Sequence, residues 1–518
     1  MTGNKLIPLL VTLALLSSAA FVPVSAQSDS SHVAVGDTLI LDLYRSIAIA
    51  LGESPDAYYS QESLNQSYIS FRSAALDMYS PTLDSRFGVP SITQALSQEL
   101  IYDAELNKNT RQWVETETRQ MEGDLSLSQP LPTGGTVEIT SRFYQQYYTN
   151  EYIGQIDELE YNTTYRASFT QELLRGNLRR YARQQAELSY ENTLLNTMQS
   201  QRNLVFNVLE SYYALLASER ELEISRDDLH ANRETADLAH RKFEAGLIPE
   251  VEALQLEVEA SRVETNLLSA EATYEGQLDR FRSLLGIELD QPISIVGDPG
   301  FDTLQVNLDK AIEKALAKRE EIRQAEISVE QAELSLKNTR RPYNPGGQLT
   351  AFYGLNQRTD TIDEAFSDDY NDYLTNRGIA FNLNIPLFSG GRRNLDVQSA
   401  RLSLRRAEFD ASQAEMDIIL DVRAAVRSLE EARRRYEISK ASLEISEKSF
   451  DISRQRFANG QITAQDWIDA QIQVNRSRIS TTQALMDHNI ALARYRMTVG
   501  EPVLPGVTVR SISPDPDL

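Results

Sequence analysis

Two stretches of the chain carry apolar residues every seven positions. Val208, Leu215, Leu222, Leu229, Ala236 and Phe243 form one stripe, and Val422, Leu429, Tyr436, Leu443, Phe450 and Phe457 form the other. A strict seven-residue period predicts α-helices that supercoil left-handedly against neighbouring helices. A helix from about Leu178 to Ala245 would run roughly 100 Å at 1.5 Å per residue, a length suited to a tube crossing a compartment. A soluble antiparallel coiled coil would carry the same stripe. Gly246 and Gly460 end these helices, because glycine takes the left-handed conformation that a helix C-terminus often needs. Ile248-Pro249 and Ile462-Thr463 then start return helices, with proline favoured in a first turn. The expectation is a pair of helical hairpins tipped at Gly246 and Gly460.

Ahead of each long helix the period changes from seven to two. Ile379, Phe381, Leu383, Ile385 and Leu387 alternate with Ala380, Asn382, Asn384 and Pro386. Tyr165, Ala167 and Phe169 form a similar run, as do Leu349, Ala351, Tyr353 and Leu355. Period two marks strands with one apolar face. Strands are therefore expected at about 82–174 and about 347–388. In the first region Leu125 and Leu127, a turn at Leu131 to Gly135, and Val137, Ile139 and Phe143 add a hairpin absent from the second. Any one of these runs would also suit an ordinary soluble sheet.

The two halves repeat each other. Phe243-x-x-Gly246 recurs as Phe457-x-x-Gly460, a shift of 214 positions that also pairs Gly176 with Gly390, Val208 with Val422 and Gly286 with Gly500. Upstream, Leu43, Ile47 and Leu51 match Leu308, Ile312 and Leu316 at a different shift, so the first copy holds an insertion between roughly Pro81 and Arg166. The expected division is a signal peptide at 1–26, a first repeat at 27–303, a second at 304–504 and a flexible C-terminal tail at 505–518. Ile287 to Gln305, rich in Pro, Gly and Asp, reads as a linker wrapped round the helices and not as core.

The N-terminal residues explain the compartment. Lys5, the apolar run from Leu6 to Leu16 and the small residues ending Val24-Ser25-Ala26 have the charge, core and cleavage pattern of a secretory signal, with the mature chain starting near Gln27. The apolar run is short of the roughly 20 residues a membrane span needs. Any membrane role must then come from strands closed into a barrel, because lipid tolerates no unpaired backbone. The mean hydropathy of -0.39 and 41% hydrophobic content fit an elongated molecule better than large globular cores. A net charge of -24, from 75 acidic and 51 basic residues, argues against a nucleic-acid partner, whose phosphates demand a basic surface. The chain has no cysteine, which excludes disulfides, thiolate chemistry and a lipoprotein anchor. Four histidines, His32, His230, His240 and His488, show no metal-ligand spacing, and no phosphate-binding GxxxxGK[ST] loop is present, so no enzyme activity and no cofactor is expected. Tyrosines such as Tyr144, Tyr147 and Tyr148 fit the aromatic girdles of transmembrane barrels. Four to six strands cannot close a barrel, for which about eight is the minimum. Several copies must therefore share one wall, which a cyclic homo-oligomer provides.

At this point the chain resembles the TolC family of outer-membrane efflux proteins over nearly its whole mature length. The resemblance rests on Ile385-Pro386-Leu387-Phe388-Ser389-Gly390-Gly391 at the strand-to-helix junction, and on the twin tips Phe243-x-Ala245-Gly246-Leu247 and Phe457-x-Asn459-Gly460-Gln461. It implies a mostly α fold with a transmembrane β part: coiled-coil hairpins forming a periplasmic tunnel, and strands, usually four per subunit, shared in a trimeric outer-membrane β-barrel. It also implies a homotrimer in outer-membrane lipid that docks a periplasmic adaptor and an inner-membrane transporter, as the exit duct of a tripartite efflux or type I secretion system. A non-channel periplasmic coiled-coil scaffold is the alternative.

The resemblance also assigns residues. Two acidic positions six and nine places after the second tip glycine close the family's tunnel, and here they are Asp466 and Asp469. Residues three apart share a helix face, and a ring of such carboxylates repels anions and binds cations. Glu252, six after Gly246, matches an acidic residue that holds the tips closed, but Ile462 stands where its basic partner usually lies. Apolar packing around Phe457 and Trp467 is an alternative latch. Gly246, Leu247 and Gly460 occupy the family's adaptor-contacting positions. An exposed leucine at a tip has little else to pack on.

Overall fold

The structure is a computed structural model that describes residues 38–103, 107–150, 158–297, 299–365 and 373–506. The expected signal peptide, His32 and positions 507–518 of the expected tail lie outside the described residues. In chain order the elements are β1 (Leu39–Leu41), α1 (Leu43–Glu53), α2 (Pro55–Leu76), β2 (Thr82–Asp103), β3 (Lys108–Pro130), β4 (Thr136–Asn150) and β5 (Glu158–Leu173). The first long hairpin follows as α3 (Leu178–Glu244) and α4 (Glu250–Leu285). Next come β6 (Ile293–Ile295), α5 (Leu308–Lys318), α6 (Glu320–Arg340), a 3₁₀ turn (Arg341–Tyr343), β7 (Gly346–Thr359), α7 (Ile362–Ala365) and β8 (Leu374–Asn384). The second hairpin is α8 (Arg392–Ala458) and α9 (Ala464–Thr498).

Helices α3 and α8 have 67 residues each, and their first and last residues lie 214 positions apart. The heptad stripes are what these helices bury. Val208, Leu215, Leu222 and Leu229 of α3 and Val422, Leu429 and Phe457 of α8 are buried, and the remaining stripe positions are half-buried. Helices α2 and α4 pack along α3, and α6 and α9 along α8.

Near the middle of the long helices, Leu41 and Ile47 join Leu209, Leu215 and Phe281 in the largest core. The expected linker is part of it. Ile293–Ile295 forms a parallel ribbon with Leu39–Leu41, Ile293 and Ile295 are buried, and the Tyr212 hydroxyl donates to the Val296 carbonyl at 3.0 Å. The Pro- and Gly-rich surroundings hid this strand, whose partner lies at the other end of the first half of the chain.

The strands form one antiparallel sheet in the order β2-β3-β4-β5-β7-β8. Six strands stand where the resemblance implies four, the additional pair being β3 and β4. Cross-strand partners share a face, and the register aligns Leu127, Ile139, Ala167 and Tyr353, with Val137, Phe169, Ala351 and Ile379 in the next row. The other face is polar: Arg142 donates to Asp124 at 2.7 Å, and Arg166 lies over the Phe352 ring at 4.6 Å. A bulge between Gly88 and Ser91 shifts the parity of β2 by one residue. It keeps Ile92 and Leu96 on the same face as Leu83 and Phe87, where an uninterrupted strand would turn them to the polar side.

The tyrosines divide between the faces. Tyr147 shares the apolar face with Phe143 and Tyr161, whose rings stack at 6.1 Å, whereas Tyr144 pairs in register with Asn162 on the polar face. The side chain of Tyr148 lies outside the described residues. Among the described residues no helix is long and apolar enough to cross a membrane, and no group of acidic, His or Cys side chains is placed to hold a metal ion.

The helical tips as candidate functional site

Both hairpins turn on a glycine in the left-handed conformation, Gly246 and Gly460, each at φ +70°. The next residue reaches back in each case: the Leu247 N–H donates to the Lys242 carbonyl at 2.8 Å, and the Gln461 N–H donates to the Arg456 carbonyl at 2.9 Å. These bonds satisfy carbonyls that the helix end would otherwise leave open.

The return helices start differently. Pro249 is the residue before α4 and not in its first turn, and it caps the helix without a side-chain hydrogen bond. Thr463 caps α9 reciprocally with Asp466. The Asp466 N–H donates to the Thr463 hydroxyl at 3.2 Å, and the Thr463 N–H donates to the Asp466 carboxylate at 3.1 Å. The Thr463 hydroxyl also donates to that carboxylate at 2.8 Å. Together the hydroxyl and the backbone N–H hold the Asp466 carboxyl below its ordinary value. The signal for this box was present in sequence as Thr463-x-x-Asp466.

Asp466 and Asp469 are both exposed, on the side of α9 away from buried Ala464, Trp467 and Ile468. Asp469 accepts from the Gln465 side chain at 3.0 Å. Glu252 lies half-buried in the first turn of α4, and among the described residues no ion pair holds it. Ile462 is half-buried in an apolar cluster that spans both tips, with Ala239 and Leu256 from the first hairpin and Phe457, Trp467 and Ile468 from the second. The Phe457 and Trp467 rings lie 5.8 Å apart. Lys242 crosses between the hairpins, with its ammonium 5.3 Å from the centre of the Phe457 ring and 3.4 Å from the Ala458 carbonyl. Leu247 is 72% exposed.

Farther from the tips, a polar cluster joins α3 to α9 that sequence reading did not single out. Asp228 accepts from the Asn232 amide at 2.8 Å and from the Gln471 amide at 2.9 Å. Asn232, Gln471 and the nearby Asn475 are buried. Burial pushes the Asp228 carboxyl up, although the hydrogen bond from Gln471 opposes that shift. The only hint in sequence was the spacing of Asp228 and Asn232, four apart on one helix face.

The family model for outer membrane efflux proteins matches residues 145–287 and 311–501. Outer membrane protein TolC of Vibrio cholerae is 23% identical over 304 residues, which is 58% of this chain and 68% of that protein. Alkaline protease secretion protein AprF of Pseudomonas aeruginosa is 24% identical over 231 residues, 43% of this chain and 46% of that protein. Among solved structures, the CmeC outer membrane channel of Campylobacter jejuni superposes with a TM-score of 0.65 at 13% identity, covering 88% of this chain and 85% of that one. The open state of the MtrE outer membrane channel of Neisseria gonorrhoeae gives 0.63 at 15% identity, with 89% of each chain covered. These superpositions show the same fold, and the sequence match to the family model extends over most of the chain: the protein belongs to the outer membrane efflux protein family.

Proposed function

We propose that three copies of this chain form a passive duct from the periplasm through the bacterial outer membrane, gated at the helical tips and loaded by partner proteins. One observation carries this reading. Toward its helical end the six-stranded sheet presents an apolar face, with Ile379 79% and Phe381 55% exposed, that no described residue covers, and among the described residues the sheet ends in two unpaired edges. Hydrocarbon is the medium that accepts such a face, and it does not accept open edges. Six strands are too few to close alone, so copies of the chain supply the missing wall. Long helices below the sheet extend the same axis as a periplasmic tunnel. On this reading 27–303 and 304–504 are two copies of one structural unit. A periplasmic scaffold would leave the apolar face in water.

At the tunnel's far end, threefold symmetry makes rings of Asp466 and Asp469, which attract cations and repel anions at the constriction. The apolar cluster around Phe457 and Trp467 serves as the latch in place of an ion pair to Glu252. Gly246, Leu247 and Gly460 are the contact points for a periplasmic adaptor, which couples the duct to an inner-membrane transporter of an efflux or type I secretion system. The duct itself makes and breaks no bonds.

Planar-bilayer recording of the purified protein tests the duct and the gate together. The expected result is stepwise conductance sensitive to divalent cations, with that sensitivity lost in the Asp466→Asn, Asp469→Asn double variant. Conductance equally sensitive in the variant would remove the gate assignment, and no conductance would remove the duct. Crosslinking from Leu247→Cys, clean in a chain with no native cysteine, identifies the adaptor.

A further inference from the structure

We infer that the barrel has eighteen strands, six from each of three copies, closed by antiparallel pairing of β8 in one copy with β2 in the next. This rests on the trimeric reading above. Strand directions allow the closure. Five successive antiparallel pairings leave β2 rising from the helical end and β8 returning to it, so β8 meets the neighbouring β2 in the antiparallel sense. Face parity allows it as well. Phe381 and Leu383 of β8 lie on the same side of the sheet as Leu83 and Phe87 of β2, so the joint keeps apolar residues outward and polar residues inward.

The β3–β4 hairpin belongs to the wall and does not hang from it. Its turn is fixed at the rim between the end of α2 and the start of α3. The Gln129 amide donates to the Tyr79 carbonyl at 2.6 Å, the Asn177 amide donates to the Pro132 carbonyl at 3.0 Å, and Arg179 donates to the Gly135 carbonyl at 3.0 Å. The hairpin therefore fills a place in the perimeter that α2 and α3 leave between them.

The perimeter agrees with this count. Four helices per copy run into the sheet: α2 before β2, α3 after β5, α6 before β7 and α8 after β8. Twelve helices packed roughly 8–10 Å apart make a collar of about 110 Å. Eighteen strands spaced about 4.8 Å and tilted about 40° also make about 110 Å. Six strands per copy thus carry the helical collar into the membrane without narrowing, at a backbone diameter of about 36 Å. The constriction is left to the tips.

Cysteine pairs on the polar face of the full chain test the closure. Asn382→Cys is combined in turn with Asp84→Cys, Arg86→Cys or Ser91→Cys on β2, and separately with Glu138→Cys or Thr140→Cys on β4. Oxidation in detergent is expected to link one of the β2 combinations into a ladder reaching three chains, with no ladder from the β4 combinations. Linking through β4 but not β2 in a particle whose native mass is three chains would overturn the eighteen-strand closure and leave the trimer standing, as would linking through neither. A native mass of one chain would instead overturn the trimeric reading itself.

Discussion

The two helical tips follow the same path and are finished differently. Each turns on a glycine at φ +70°, and each ties the following N–H back to the last helical turn. Beyond that shared frame, the first tip offers Leu247 to its surroundings and starts its return helix without a side-chain cap. The second spends its first acidic residue on a reciprocal cap and places Trp467 and Phe457 in the cluster shared by both hairpins. The heptad stripes and turn glycines, common to both, set the path. The side chains that do not serve the path are free to diverge, so one tip leaves a leucine exposed while the other buries two aromatic rings.

The sharpest way to break this comparison is to exchange the roles. Trp467→Ala, at a side chain only 3% exposed, is expected to cost about 3–5 kcal/mol and to raise the open probability of the channel. Leu247→Ala at the other tip is expected to change stability by less than about 0.5 kcal/mol while weakening adaptor crosslinking. Denaturant unfolding and bilayer recording of the two variants side by side check the contrast. Equal destabilisation at both positions would mean that the tips are not specialised.

The polar joint between the hairpins is next in size. Asp228→Leu deprives the Asn232 and Gln471 amides of their buried acceptor and is expected to destabilise by about 1–3 kcal/mol. Asp228→Asn, which keeps one acceptor oxygen, is expected to cost less. The same unfolding experiment ranks the two, and equality would show that the acceptor is not what matters.

At the turn glycines the two tips are expected to behave alike. Neither Gly246 nor Gly460 has an atom within 4 Å of where a Cβ would stand, so alanine costs only the left-handed conformation, about 1 kcal/mol each. Gly286→Ala is the contrast. It shares the positive φ, but its Cβ would collide with the Glu53 carbonyl oxygen, so thermal unfolding should show a clearly larger loss.

The smallest effect concerns acid. Asp466 is depressed in the folded chain, so its capping contribution is present above the unfolded carboxylate range and is lost as pH falls through the lower folded value. Asp228 has the opposite sign. Its raised folded value means that the folded state holds its proton more tightly, and this contribution declines as pH rises through that value. Amide protection at residues 464–467, the intrinsic exchange rate divided by the observed rate at the same pH, should therefore fall in acid, and Thr463→Ala should give the lower protection already at neutral pH. The first turn of α4, with no cap bond of this kind, should respond to neither change.

What sequence alone determined here is what local periodicity encodes. A stripe repeating every seven residues specifies a helix and the face it buries, and alternation specifies a strand with one apolar side. The hairpins from Leu178 to Leu285 and from Arg392 to Thr498 were legible on those terms, as were the strands near 82–174 and 347–388 and the turns at Gly246 and Gly460. Thr463-x-x-Asp466 carried a local signal as well, because a cap is formed by residues three apart, but the repeating pattern did not single it out. Only the tertiary structure decided the rest. Leu39–Leu41 pairs with Ile293–Ile295 across most of the first half of the chain, and Asp228 meets Gln471 across the two hairpins. Two of the six strands also had to be placed inside a single sheet, with Tyr144 on one face and Tyr147 on the other. Burial and pairing of this kind depend on which distant segments pack together, and a repeating pattern says that a face must be covered without saying by what.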